Sequence, residues 1–161
     1  MKRAVCSGSF DPVTSGHIDI FERASRMFDE ILVCVFCNIR KKSFFSVEQR
    51  MDFLREATSH IPNLKVDSFS GLLVDYMREH DARILVRGVR SVKDLEYEQD
   101  NARAIAHLAP EIETVFLLTA PSYSFVSSSC VRELAAFRGS VHGIVPACVE
   151  EALLERWKQE E

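Results

Sequence analysis

Five short apolar runs rich in β-branched and aromatic residues, Arg3–Ser7, Glu30–Cys37, Leu64–Phe69, Ile84–Arg87 and Thr114–Thr119, alternate with stretches of helical periodicity. That alternation limits the architectures open to this chain. The first helical stretch spans about Ser15 to Phe28, with Ile18, Phe21, Ser25 and Phe28 on one face at helical spacing. The second opens at Ser46, where Ser46-Val47-Glu48-Gln49 has the form of a capping box, and runs to about Ser59. Further helices are expected from about Gly71 to His80, from Ser91 to Leu108, up to about Phe137, and from near Pro146, a residue suited to a first helical position. Parallel strands need crossover connections, and those crossovers are right-handed. The order βαβαβαβαβ therefore predicts an α/β, Rossmann-like single domain over residues 1–161. Its five-stranded sheet is mostly parallel, with helices on both faces. Ligands on such sheets bind at the carboxyl ends of the strands, near a topological switch point.

At 161 residues with 47% apolar and 27% charged side chains, the chain has the mix of an ordinary globular domain large enough to build a core. Its net charge of −4 argues against a general nucleic-acid or membrane-binding surface, so any anion must be bound locally. Gly8 and Pro12 interrupt the N-terminal apolar run before a signal-peptide core is complete, and a cytoplasmic location is expected. The five cysteines are scattered through apolar stretches, which suits buried thiols in a reducing compartment. Cys34 and Cys37 form a C-x-x-C inside a strand-like run. Residues three apart on a strand point to opposite faces, so packing is favoured over a metal or redox role, and no metal ligand is expected.

The polar residues cluster where strands end. After the first run come Ser7-Gly8-Ser9-Phe10-Asp11-Pro12 and then Val13-Thr14-Ser15-Gly16-His17. A glycine for close backbone approach, a hydroxyl at Ser9 and a helix start with free N–H groups together make an anion cradle. His17 falls in the first turn of that helix, where a lone histidine is ordinarily a capping or surface residue. Arg40-Lys41-Lys42 follows the second run and reads either as a solvated loop or as a mobile ammonium for phosphate. Arg87-Gly88-Val89-Arg90 ends the fourth run. Its two arginines suit phosphate, while the carboxylates Asp94, Glu96 and Glu98 just downstream allow structural ion pairs instead. Tyr123-Ser124-Phe125-Val126-Ser127-Ser128-Ser129 precedes a helix, and its serines can cap that helix, bind phosphate, or do both.

The string G-S-F-D-P-V-T-S-G-H resembles the nucleotidyltransferase superfamily marked by a T/H-x-G-H signature, here Thr14-Ser15-Gly16-His17. With the lysine after the second run, the R-G-x-R, Glu96-Tyr97-Glu98 and S-F-V-S-S-S, almost the whole chain resembles the bacterial phosphopantetheine adenylyltransferases. The resemblance implies transfer of AMP from ATP to 4′-phosphopantetheine, giving dephospho-coenzyme A (dephospho-CoA) and pyrophosphate by in-line attack without a covalent intermediate. It implies that His17, Lys41 and Arg90 act in catalysis and that Ser9, Lys41, Leu73 and Arg87 bind phosphopantetheine. ATP would be bound by Ser9, Phe10, His17, Gly88, Val89, Arg90, Glu98 and the segment Tyr123, Ser124, Phe125, Val126, Ser127, Ser128, Ser129. Mg2+ is expected as the cofactor that shields the triphosphate. Homohexamer assembly and feedback inhibition by coenzyme A (CoA) are implied by the resemblance alone. Cys6-Ser7 stands where many relatives have tyrosine-proline, and Ser43 where proline is common. Competing readings are a nicotinamide mononucleotide adenylyltransferase, a cytidylyltransferase, a fragment of a class I aminoacyl-tRNA synthetase, and a nucleotide-binding module without catalysis.

Overall fold

The computed structural model describes residues 1–38 and 40–160. The strands β1 (Arg3–Gly8), β2 (Glu30–Phe36), β3 (Leu64–Phe69), β4 (Ile84–Val89) and β5 (Glu113–Leu118) form one sheet in the order β3-β2-β1-β4-β5. Every pairing is parallel. The helices are α1 (Ser15–Ser25), α2 (Val47–Ala57), α3 (Leu73–Glu79), α4 (Val92–Leu108), α5 (Ser128–Ala136) and α6 (Ala147–Gln159), with a 3-10 turn at Pro121–Tyr123.

Side chains alternate across a strand, so each strand feeds two cores. Ala4, Cys6, Val33, Val35 and Val86 pack with Phe21 of α1, Leu54 of α2, Val131 of α5 and Leu153 of α6. The intervening residues Val5, Leu32, Cys34 and Leu85 pack with Val74 and Met77 of α3 and Ile105 of α4. Cys34 belongs to this second core, and burial pushes its thiol up to about 12. Cys37 lies past the end of β2, and both are free thiols.

Several element boundaries differ from those read in the sequence. The α1 helix ends at Ser25 rather than Phe28, and its buried residues are Gly16, Ile20, Phe21 and Ala24, with Ile18 and Ser25 only partly covered. Small residues at Gly16 and Ala24 turn that side of the helix inward. The α3 helix starts at Leu73 because Gly71, at φ +120°, sits in a region a right-handed helix does not use. β4 continues two residues further than expected and takes Gly88 and Val89 into the sheet. Pro146 is the N-cap of α6, extended at ψ 152°, rather than its first helical residue. The Ser46 capping box forms as read, Ser46 Oγ accepting from Gln49 N–H and Gln49 Oε1 from Ser46 N–H.

Candidate active site

β1 pairs with β2 from Arg3↔Glu30 to Gly8↔Val35, but with β4 only at Ala4↔Ile84 and Val5↔Leu85. Beyond Val5 the two central strands part. The sheet order reverses direction there, so the fork is the topological switch point of the fold. A cleft of about 710 Å³ opens above it, walled by the β1–α1 loop, the segment after β2, the end of β4 and the start of α5.

The β1–α1 loop is held from several directions. Asp11 Oδ2 and Oδ1 accept the backbone N–H groups of Phe44 and Phe45 at 2.7 and 2.8 Å. Arg132 donates to Asp11 O at 2.7 Å, Ser128 Oγ to Pro12 O at 2.8 Å, and Arg50 Nη1 to Ser9 O at 2.8 Å. Phe10 takes φ +46°, in the left-handed region, and its ring packs edge-on against His17 and Phe21. A side chain at Gly8 would press on that ring, with its Cβ 3.1 Å from Phe10 Cζ, so the glycine makes room for Phe10.

Thr14 caps α1, and His17 completes the cap. Thr14 Oγ1 accepts from His17 N–H, and His17 Nδ1 accepts the Thr14 backbone N–H at 3.0 Å. An amide nitrogen can only donate, so Nδ1 carries no proton and the neutral ring bears its hydrogen on Nε2. Burial, reinforced by the positive charges of Arg90 and Arg87, lowers the His17 pKa to about 4. The imidazole is therefore a neutral donor at pH 7, oriented by its own helix cap and part of the cleft wall.

Each arginine of the R-G-x-R meets a carboxylate of α4. Arg87 grips Glu98 with Nε and Nη2, both at 2.8 Å, and sends Nη1 to Ser7 O at 2.7 Å, bridging the fork between β4 and β1. Arg90 lies 3.4 Å from Asp94, whose carboxylate also accepts Arg90 N–H. Gly88 faces α1: a Cβ there would stand 3.0 Å from Ile20 Cγ1, so its lack of a side chain lets the helix seat on the sheet. Opposite, Ser127 caps α5 by accepting from Cys130 N–H, while Ser128 and Ser129 continue the cleft wall.

Of the residues singled out in the sequence, Ser9, Phe10, His17, Lys41, Arg87, Gly88, Arg90, Glu98, Val126, Ser127, Ser128 and Ser129 line this one cleft. Leu73, Val89, Tyr123, Ser124 and Phe125 do not. Leu73 packs on the second core, Val89 is buried, Phe125 is exposed, and Tyr123 borders a separate hollow of about 250 Å³ beside Ser15 and Asp19. Asp11, Arg50, Arg132 and Arg156 also line the cleft and were given no role of their own in the sequence; so do Lys42, from the basic segment after β2, and Asp94, which forms the ion pair its position allowed. The wall thus carries seven cations (Lys41, Lys42, Arg50, Arg87, Arg90, Arg132, Arg156) against three carboxylates (Asp11, Asp94, Glu98), on a chain whose net charge is −4. It is built for a polyanion.

Residues 5–134 match the family model described as cytidylyltransferase-like. The chain is 52% identical over 159 residues, 99% of its length and 100% of the relative's, to a phosphopantetheine adenylyltransferase of Shouchella clausii (strain KSM-K16). It is 51% identical over 158 residues to that of Dictyoglomus turgidum (98% of this chain, 99% of the relative), and 50% over 157 to that of Dictyoglomus thermophilum (98% and 96%). The chain belongs to the phosphopantetheine adenylyltransferase family.

Within this family member, the two departures noted in the sequence sit beside the cleft. Cys6 is a nearly buried part of the cleft lining, and burial pushes the thiol up to about 12, so it stays protonated despite Arg87 nearby. Ser7 offers Arg87 a backbone carbonyl, with its Oγ at 3.4 Å from the same nitrogen. Ser43 is exposed just before the segment held by Asp11. Among the described residues no cluster of His, Cys, Asp and Glu could hold a metal ion, and no helix is long and apolar enough to cross a membrane.

Proposed function

We propose that this adenylyltransferase moves the AMP part of ATP onto the phosphate of 4′-phosphopantetheine. An acceptor phosphate oxygen attacks the α-phosphorus in line, the bond to the β-phosphate oxygen breaks, and pyrophosphate leaves with the electron pair. Dephospho-CoA is the other product. The observation that carries this reading is the gathering of His17, Lys41, Arg90 and the α5 N-terminus around one cation-rich cleft at the switch point, in a chain similar from end to end to proteins of that name.

An ionised phosphate is already a nucleophile, so the reaction needs positioning and charge stabilisation rather than a general base. His17 offers a preoriented Nε2–H to a phosphoryl oxygen. Arg90, positioned by Asp94, and the mobile ammonium of Lys41 neutralise growing negative charge. Arg87 serves first as the brace between Glu98 and Ser7 O, and its place in the wall adds to the positive field. A protonated Cys6 is no nucleophile, in keeping with direct transfer.

Magnesium fits this site as part of the substrate, MgATP. Asp11, Asp94 and Glu98 are occupied by backbone N–H groups or arginines, and the ion would be held by phosphate oxygens and water. CoA shares the phosphopantetheine arm and would compete for the acceptor end of the cleft. Assembly into a homohexamer in the cytoplasm is proposed from the family likeness, and exposed apolar side chains such as Leu72, Val92, Tyr97 and Leu118 are available for subunit contacts. The deciding experiment measures pyrophosphate release from MgATP with 4′-phosphopantetheine, with nicotinamide mononucleotide, and with neither. Release that requires phosphopantetheine is expected. Release with the mononucleotide instead, or with neither, would overturn the reading.

A further inference from the structure

Arg50, in the first turn of α2, is only 4% exposed, yet among the described residues no carboxylate lies within ion-pair distance of it. Its Nη1 donates to Ser9 O at 2.8 Å and its Nε to Ser46 O at 3.3 Å. Both acceptors are neutral carbonyls. They orient the guanidinium but leave its full charge uncompensated in a nearly dry position, where an unpaired charge is costly. The Asp11 carboxylate nearby in sequence to Ser9 is engaged with Phe44 and Phe45 N–H instead.

Nη2 has no protein acceptor among the described residues. Among the described residues no side-chain nitrogen sealed from solvent lacks a partner, so Nη2 is where this almost buried group reaches open space. The open space bordering Arg50 is the cleft, on the wall shared with Ser9, Lys41, Lys42 and Phe44. A guanidinium held by two carbonyls with one free edge towards a cavity is a preorganised phosphate donor.

We propose that Arg50 binds the phosphate of the acceptor substrate, offering Nη2 beside Ser9 and Lys41 as the counter-charge to a phosphomonoester dianion. This rests on the transfer reaction proposed above. Its bond to Ser9 O, and its place on the helix that directly follows the segment carrying Lys41 and Lys42, assign it to the acceptor rather than to the triphosphate.

The test compares wild type, Arg50→Gln and Arg50→Lys in the forward reaction, with KM measured separately for 4′-phosphopantetheine and MgATP. The inhibition constant of pantetheine, which lacks the phosphate, is measured on all three. A hydrogen bond to a charged group corresponds to about tenfold or more in affinity. Arg50→Gln should therefore raise KM for phosphopantetheine by about that factor. The MgATP KM and the pantetheine constant should stay within about twofold, and Arg50→Lys should recover part of the loss. If pantetheine and phosphopantetheine weaken in parallel, Arg50 only supports the Ser9 loop and the inference is wrong. It is equally wrong if the loss falls on MgATP or if no constant moves. Should Arg50→Gln not fold, Arg50→Lys carries the same comparison. A wild-type protein that transfers nothing to phosphopantetheine would remove the underlying reading, and this inference with it, whatever the variants do.

Discussion

Asp11 Oδ2 accepts the backbone N–H of Phe44 at 2.7 Å, joining the loop that follows the first strand to the segment that carries Lys41 and Lys42. Oδ1 does the same for Phe45, and from the other side Arg156 of α6 donates to Phe44 O at 3.1 Å while its guanidinium lies over the Phe44 ring at 4.1 Å. The lysines themselves are exposed and gain their placement from this clamp.

Removing the carboxylate should therefore act at two levels. Asp11→Ala leaves two N–H groups without their acceptor, at a cost of about 1–3 kcal/mol for each one kept from water. Asp11→Asn, which retains one acceptor oxygen, should lose less. Denaturant unfolding should rank the proteins wild type, Asn, Ala, and the KM for the acceptor should rise in the same order. An Ala variant with wild-type stability and kinetics would show that the clamp does not govern the lysine segment.

His17 should titrate far below an ordinary histidine in the free protein. With the folded pKa lowered to about 4 by burial and the Arg90 and Arg87 charges, and an unfolded value of about 6.5, the unfolded chain takes up the proton first as pH falls. The stability contributed by the neutral ring is complete above about pH 6.5 and is lost on descent towards pH 4. Nitrogen-detected NMR should show Nδ1 bare and Nε2 protonated, unchanged from pH 8 to about 5.5. A ring that titrates near 6.5 would contradict the cap geometry. In His17→Asn, whose Oδ1 can still accept the Thr14 N–H, the acid loss of stability should be shallower. Loss of the Nε2–H should cost on the order of 10²–10³ in turnover.

The strand and helix order was legible because periodicity is local, and so were the segments that end at the cleft. The Ser46 cap was legible because it has the usual glutamine at its fourth position. The Thr14 box was legible only in part: a capping role was open to His17, but a histidine in place of the usual glutamate or glutamine does not reveal that its Nδ1 accepts the Thr14 N–H. Gly88 shows the opposite limit: its neighbour Ile20 is far away in sequence, so a glycine assigned by resemblance to the ATP site is needed for helix packing. Arg50, Arg132 and Arg156 were silent because they reach Ser9, Asp11 and Phe44 across 41, 121 and 112 residues of chain. Leu73 came from resemblance alone, and the cleft of this chain does not include it.

The Arg87–Glu98 pair bridges the fork and is mostly buried, with side chains 26% and 10% exposed. Breaking such a pair from one side strands the other charge and costs about 3–5 kcal/mol. Glu98→Ala should therefore destabilise more than Glu98→Gln, which keeps one acceptor. Arg87→Met combined with Glu98→Leu should recover much of the stability without restoring transfer. Unfolding free energies and pyrophosphate release measured on the same set separate the two roles. A double variant as unstable as Glu98→Ala would mean that the Ser7 carbonyl contact, not the ion pair, holds the strands.

Gly88 and Ile20 allow the sharpest structural test. An added Cβ would meet Ile20 Cγ1 at 3.0 Å, with Cδ1 at 3.4 Å behind it, and the surrounding core leaves α1 little room to retreat. Overpacking of this kind costs about 1–3 kcal/mol, so Gly88→Ala should be destabilised by that amount. Because His17 and Ile20 share α1, the push on the helix should also disturb the Thr14–His17 cap and lower turnover. Ile20→Ala alone should cost about 2–5 kcal/mol by leaving a cavity. Combined, the added Cβ enters part of the space left by the three carbons removed from Ile20, and the double variant should be more stable than the sum of the single losses by at least about 1 kcal/mol. Strict additivity in the unfolding free energies would mean that α1 does not rest on β4 through this contact, and that Gly88 is required for the ligand instead.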